Sequence, residues 1–166
     1  MRKILLVFLA CSLSCQGQTG FGVYGGPSVA TWAKYTISMS GSNWTVNGVS
    51  GDAKANATTQ QVALVTLPAK TVMHGVVVEH TVPFAGTAIN AVTASVGTSG
   101  ASTSVATDYD VHQAITALPY LNGGLNRAAR TDATIALVVE IKTTGANASA
   151  LTAGSVNVYL QTSTLP

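Results

Sequence analysis

Charge is scarce in this chain of 166 residues, of which only 8% are Asp, Glu, Lys or Arg, against roughly a quarter in ordinary globular domains. The stretch from His80 to Thr107 contains none of the four. Solubility must therefore come from hydroxyl and amide groups, and the surface gives up electrostatic self-repulsion. Such a surface favours a protein embedded in an assembly, or exported, over a free cytosolic enzyme.

A concentration of positive charge is also missing. Eight Lys and Arg face six Asp and Glu, but Arg2 and Lys3 lie at the N-terminal tip, which leaves the rest of the chain neutral. No basic run or RNA-binding aromatic motif supplies the electrostatic footprint of a nucleic-acid binder. The sequence therefore predicts no nucleic-acid partner.

Cysteine occurs only at Cys11 and Cys15. The body of the chain thus has no disulfide, no thiol nucleophile and no cysteine-based metal site. Both cysteines lie in residues 1–17, where a basic start and an apolar run from Ile4 to Ala10 precede small polar residues. This is the layout of a secretory signal peptide, and the apolar run is too short to span a bilayer. A lipid anchor at Cys15 and a retained N-terminal arm are the alternatives.

Short runs of alternating apolar and polar residues dominate the rest of the chain. Residues 18–33 are a glycine-rich lead-in, and residues 34–166 are predicted to form a single domain. Turn residues separate about seven or eight predicted strands. These strands are expected at 35–39, 44–46, 60–68, 71–82, 88–97, near 104, at 133–143 and at 155–162.

Details of this pattern predict the arrangement of the strands. Alternation is expected to turn Val156, Val158 and Leu160 inward and to place Leu137 and Val139 on one face of their strand. The run at 60–68 is apolar on both faces, which is typical of a central strand. A turn is expected at Pro83–Gly86. A short helix is predicted over 108–118, where apolar residues recur at helical spacing and Asp108 or Asp110 can cap the start. The sequence therefore predicts an all-β fold, an antiparallel β-sandwich of the jelly-roll type with one short helix.

Catalytic and metal-binding constellations are weak. His74 and His80 are expected on one face of a strand but about 20 Å apart, too far to share a metal ion. Asp108 and His112 are four residues apart on the predicted helix and could touch, but helix capping explains that spacing. The sequence predicts no enzyme, no cofactor and no metal site.

The chain from Gln61 onward carries a series of structural motifs. A strand ending in "LPA" is followed by a valine-rich strand, by "FAGTAINAVTASVG" and by a final "TGANASALTAGSVNV" hairpin. This series resembles a family of small tailed-phage virion proteins. The resemblance implies a non-enzymatic β-sandwich on a capsid or tail, acting as a decoration, fibre or minor structural subunit. Its partners would be copies of itself and other virion proteins.

The signal-like N-terminus favours a different prediction. It indicates a secreted or lipid-anchored β-sandwich, an adhesin or glycan-binding module at the cell surface. If subunit contact is the function, the contact residues are expected to be apolar or hydroxyl-bearing side chains on loops and edge strands. Each aromatic candidate could equally lie in the core, and Arg127 and Arg130 either anchor a loop to Asp132 or contact a neighbouring subunit. The candidates are Trp32, Tyr35, Trp44, Tyr120, Arg127, Arg130 and Tyr159.

Overall fold

A computed structural model describes residues 29–114, 120–123 and 129–165, with only the backbone at 120–123 and 129–130. The described chain forms eleven strands. They are β1 (Thr31–Ser40), β2 (Asn43–Val46), β3 (Val49–Ala53), β4 (Thr59–Leu67), β5 (Thr71–Gly86), β6 (Ala91–Thr98), β7 (Ala101–Asp110), β8 (Tyr120–Gly123), β9 (Ala129–Arg130), β10 (Ile135–Thr144) and β11 (Leu151–Thr164).

The strands form two antiparallel sheets. Sheet A has the order β3-β2-β1-β11-β5-β8, with β9 also paired to β5, and sheet B has the order β4-β10-β6-β7. The buried apolar side chains of both sheets form one core cluster. The predicted all-β antiparallel sandwich is confirmed. The predicted segment 1–17 and most of the lead-in lie outside the described residues, while β1 already begins within the lead-in, at Thr31.

The order of the strands supports the finer prediction of a jelly roll. Without the short strands β2, β3 and β9, each sheet has four strands. Their order is β1-β11-β5-β8 in sheet A and β4-β10-β6-β7 in sheet B. The first strand neighbours the last, and the chain passes repeatedly from one sheet to the other, as in the paired Greek keys of a jelly roll.

Alternation places the core as the sequence predicts in the last two long strands. Val156, Val158 and Leu160 of β11 are buried, as are Leu137 and Val139 of β10. Side chains of a strand point alternately to its two faces, so one apolar face per strand suffices to fill the space between the sheets.

Two expectations about strands were wrong. The apolar run at 60–68 forms β4, which is an edge strand of sheet B and leaves Ala63 exposed. The segment Pro83–Gly86 belongs to β5 rather than to a turn. β5 accommodates the proline because its pairing with β11 is irregular there, passing from Val82 directly to Ala85.

The predicted helix over 108–118 was wrong in its described part. Asp108 and Asp110 belong to β7, and residues 111–114 form no helix; residues 115–118 lie outside the described residues. Val111 is fully buried, donates its N–H to the Val92 carbonyl and accepts a hydrogen bond from the Phe84 N–H. These long-range bonds override the helical spacing. The described helical structure is the 3-10 turn Ala148–Ala150.

Gly154 lets β11 pass closely over the Phe84 ring. Its φ is +148°, and a Cβ at this position would overlap the ring of the fully buried Phe84. Only glycine meets both requirements without strain.

Gly154→Ala is therefore expected to lower the free energy of unfolding by about 1–3 kcal/mol, the usual cost of overpacking a core. Urea denaturation measures the change. Gly100→Ala is the matched control, because nothing lies within 4 Å of its Cβ position. Equal stability of the two variants would contradict this description of the core.

Candidate contact surfaces

The solvent-facing side of sheet A brings together two of the predicted contact aromatics. Strands β1, β11 and β5 lie side by side there, and their register arranges outward residues in three rows. The rows are Trp32-Gln161-Gly75, Lys34-Tyr159-Val77 and Thr36-Asn157-Glu79. We call these nine residues the outer A face.

A β-bulge at His74 determines which residues of β5 reach the outer A face. Met73 pairs with Thr162 and Gly75 pairs with Gln161, so His74 has no partner on β11. The extra residue reverses the alternation, since side-chain direction has a period of two. As a result His74 is exposed and bonds to the Ser163 hydroxyl at 2.8 Å.

The expectation that His74 and His80 share a face was wrong for the same reason. His80 is buried, 2% exposed, and its Nδ1 lies 2.9 Å from the Tyr109 hydroxyl. No partner for its Nε2 occurs in the part of the chain that the structure describes. Burial raises the pKa of Tyr109.

Glu79 is the centre of a hydrogen-bond network on the outer A face. Its Oε2 accepts bonds from Asn157 Nδ2 at 3.1 Å and from the Tyr159 hydroxyl at 2.9 Å. The Thr36 hydroxyl donates to Asn157 Oδ1 at 2.8 Å. Asn157 is thus enclosed by its partners, which explains why this outward-pointing residue is only 4% exposed.

The hydrogen-bond network lowers the pKa of Glu79 and raises the pKa of Tyr159. Hydrogen bonds from Asn157 and Tyr159, followed by the nearby charges of Lys34 and His80, hold the pKa of Glu79 below its ordinary value, against the opposing effect of burial. The same bond raises the pKa of Tyr159, because deprotonation would place a second anion beside the carboxylate.

Trp32 is the most exposed aromatic side chain of this face, at 53%. Its Cη2 atom lies 3.6 Å from the position that a Cβ would occupy at Gly75. The Lys34 ammonium lies 5.9 Å from the centre of the Tyr159 ring, within the range of a cation–π interaction.

The other predicted contact residues lie elsewhere. Tyr35 is partly buried and packs against the core. Trp44 has no exposed surface, and its indole N–H donates to Gln60 Oε1 at 2.7 Å. Trp44 is therefore a core residue and not a surface residue. For Tyr120 and Arg130 the structure gives backbone positions in β8 and β9, and Arg127 lies outside the described residues.

Sequence reasoning missed the exposed β2–β3 hairpin. Asn47 and Gly48, with φ of 51° and 78°, form its turn, and this Asn-Gly pair was the available signal. All five residues of β3 are exposed, and Val49 is 71% exposed. Gly75 was missed because no sequence pattern shows the bulge beside it.

The contact between Asp108 and His112 that a helix would have allowed does not form. His112 does not pair with Asp108; its backbone N–H donates to Asp110 Oδ1 and its Nδ1 lies 2.7 Å from the Phe84 carbonyl. Within the described ranges, no group of three or more His, Cys, Asp or Glu is placed to hold a metal ion. Nor does any described helix have the length and hydrophobicity to cross a membrane.

The Glu79 network predicts a specific dependence of stability on pH. Because the folded-state pKa lies below the ordinary value of 4.5, the stabilisation is complete above that value and is lost as the pH falls through the folded-state pKa. In Glu79→Gln the melting temperature should therefore fall less steeply below pH 4.5 than in the unmodified protein. The charged network should contribute about 0.5–1 kcal/mol to the free energy of unfolding, because Glu79 is partly exposed.

The control for this experiment is Asp52→Asn on the exposed strand β3. That variant should follow the unmodified protein throughout the acid range. Identical acid profiles for Glu79→Gln and the unmodified protein would show that the network adds no stability.

Comparison with known proteins adds one structural match. No family model matches the chain, and no curated protein matches it. A chain of the solved structure "Cyanophage Pam1 capsid asymmetric unit" is similar in fold, with a TM-score of 0.57 and 19% sequence identity. The match covers 95% of this chain and 100% of the cyanophage chain. The sandwich is therefore a fold that a chain of a phage capsid asymmetric unit also has.

Proposed function

We propose that this protein is a non-enzymatic structural subunit of a phage virion, acting through contacts with copies of itself and with other virion proteins. The observation that carries the proposal is the extent of the structural match. The match covers the whole of a chain from a capsid asymmetric unit and 95% of the present chain. A capsid decoration, a fibre and a tail-associated subunit are the forms that such a role would take.

The edges of the sandwich support a role in assembly. β4 has no charged side chain among its nine residues, and β3 has only Asp52. An edge strand without charge lacks the usual protection against pairing with other chains. At β4 a neighbouring subunit would meet no like charge, and the hydroxyl, amide and small apolar side chains of that strand allow close packing.

Quantitative mass spectrometry of gradient-purified particles tests the proposal. The chain should be present in a fixed copy number relative to the major capsid protein, with peptides from residues 1–17 retained. A secreted or lipid-anchored module predicts the opposite, namely loss of those residues and recovery from the medium or the cell envelope. That outcome would overturn the virion assignment.

The isolated protein should self-associate more readily than its size suggests. Sedimentation velocity over a range of concentrations measures this. Ala63→Asp, which adds a charge to the edge strand β4, should weaken the association. Ala136→Asp places the same charge on the interior strand β10 of sheet B, at a residue that is also exposed, and should have little effect.

A monomer that stays soluble at high concentration would contradict contact through these edges. Equal weakening by the two substitutions would show that added charge, rather than its place on the edge, controls association.

A further inference from the structure

Trp32 lies along the outer A face instead of standing away from it. Its own strand, β1, is separated from Gly75 on β5 by the intervening strand β11, a distance of roughly 10 Å at the usual strand spacing. The tip of the indole nevertheless lies 3.6 Å from the Cβ position of Gly75. The side chain must therefore extend across β11, with one side against the sheet and the other towards solvent.

Gly75 is the residue that permits this arrangement. Because it has no side chain, the far end of the indole can lie over it; a Cβ there would be 3.6 Å from Trp32 Cη2 and 3.7 Å from Gln161 Oε1. A Cβ alone would make ordinary van der Waals contact with the ring, but a branched side chain would have to displace it.

Polar groups that could bond to a ligand lie on the same face as the Trp32 indole. Among the described residues, the Gln161 amide has no hydrogen-bond partner. The Lys34 ammonium lies over the Tyr159 ring and near the Glu79 carboxylate, and no described residue accepts a hydrogen bond from it. The two bonds that Glu79 accepts both reach Oε2, which leaves Oε1 for another donor. Donors and acceptors thus lie on the same face as the exposed indole, Gln161 in its own row and Glu79 two rows away.

We propose that the outer A face is a binding site for a neutral saccharide. The apolar side of one sugar ring would stack on the solvent side of Trp32, with its hydroxyls within reach of Gln161 and Lys34. A following ring of an oligosaccharide would reach Glu79, which lies four residues beyond Gly75 on β5, about 13 Å away. This combination of an aromatic platform with a few fixed polar groups is how small-molecule sites obtain both affinity and orientation. The inference goes beyond the proposed virion role and does not depend on it.

The charges of the face favour a neutral saccharide over the other occupants of such a surface. Lys34 and Glu79 balance each other, so neither an acidic nor a basic ligand gains net attraction. The centre of a protein–protein interface is usually depleted of charge, whereas this face places a carboxylate and an ammonium next to its aromatic rings. The hydrogen bonds of Asn157 and Tyr159 hold the carboxylate in position before any ligand arrives.

Tryptophan fluorescence titration with cellohexaose, maltohexaose and chitohexaose tests the proposal. Trp44 is fully buried, so a ligand-dependent change should come from Trp32. At least one of the three sugars should bind with a Kd of about 1 mM or lower. Trp32→Ala should weaken binding about tenfold or more, measured by isothermal titration calorimetry because the reporting indole is lost.

A pair of substitutions at Gly75 makes the test sharper. Gly75→Val should displace the indole and abolish binding, while Gly75→Ala should retain it, because its Cβ fits at 3.6 Å from the ring. Val49→Ala, an exposed apolar truncation on β3, is the control and should leave binding unchanged. Circular dichroism confirms that each variant is folded.

Three results would overturn the saccharide site. The first is the absence of binding by all three sugars, and the second is binding that Trp32→Ala leaves intact. The third is loss of self-association in Trp32→Ala without any sugar binding, which would identify the face as a contact between copies of the chain. The virion role is tested separately, by the composition of purified particles.

Discussion

The pairing of β5 with β11 is the constraint on which the rest of the structure depends. These two strands run side by side through the middle of sheet A, from Thr71 to Gly86 and from Leu151 to Thr164. Their register turns Val76, Val78, Val156 and Val158 into the core and leaves Glu79 and Tyr159 on the outer A face. The bulge at His74 keeps Met73 in the core and Gly75 on the outer A face. The irregular pairing of β5 with β11 thus determines which residues of β5 are buried and which face solvent.

Alternation in the sequence was sufficient to predict the sandwich and much of its core. In "SVNVYLQT" it placed Val156, Val158 and Leu160 inside, and these residues are buried. It could not predict the bulge at His74 or the edge position of β4, because both depend on which strand lies alongside. The helical spacing after Asp110 was misleading because the backbone of Val111 bonds to Phe84 and Val92, which are distant in sequence.

The candidate surfaces were predictable only in part. Trp32 and Tyr159 were predicted to be contact aromatics, and both lie on the outer A face. Their neighbours come from three strands, and no sequence pattern points to Gly75. Trp44 has the same residue type as Trp32 and the opposite environment, since Gln60 supplies a buried partner for its indole N–H. The charge-free stretch His80–Thr107 supplies the end of β5, all of β6 and most of β7. Its buried side chains, among them Phe84, Val92 and Val96, fill space in the core.

A cryo-EM reconstruction, at side-chain resolution, of phage particles purified from cells that produce this chain tests the account most directly. We expect copies of the sandwich related by the particle symmetry, with edge strands β3 and β4 against neighbouring subunits and Trp32 facing solvent. A particle whose density contains no such sandwich would contradict the virion role. Copies that bury Trp32 against another subunit would contradict the division between contact edges and an open outer A face.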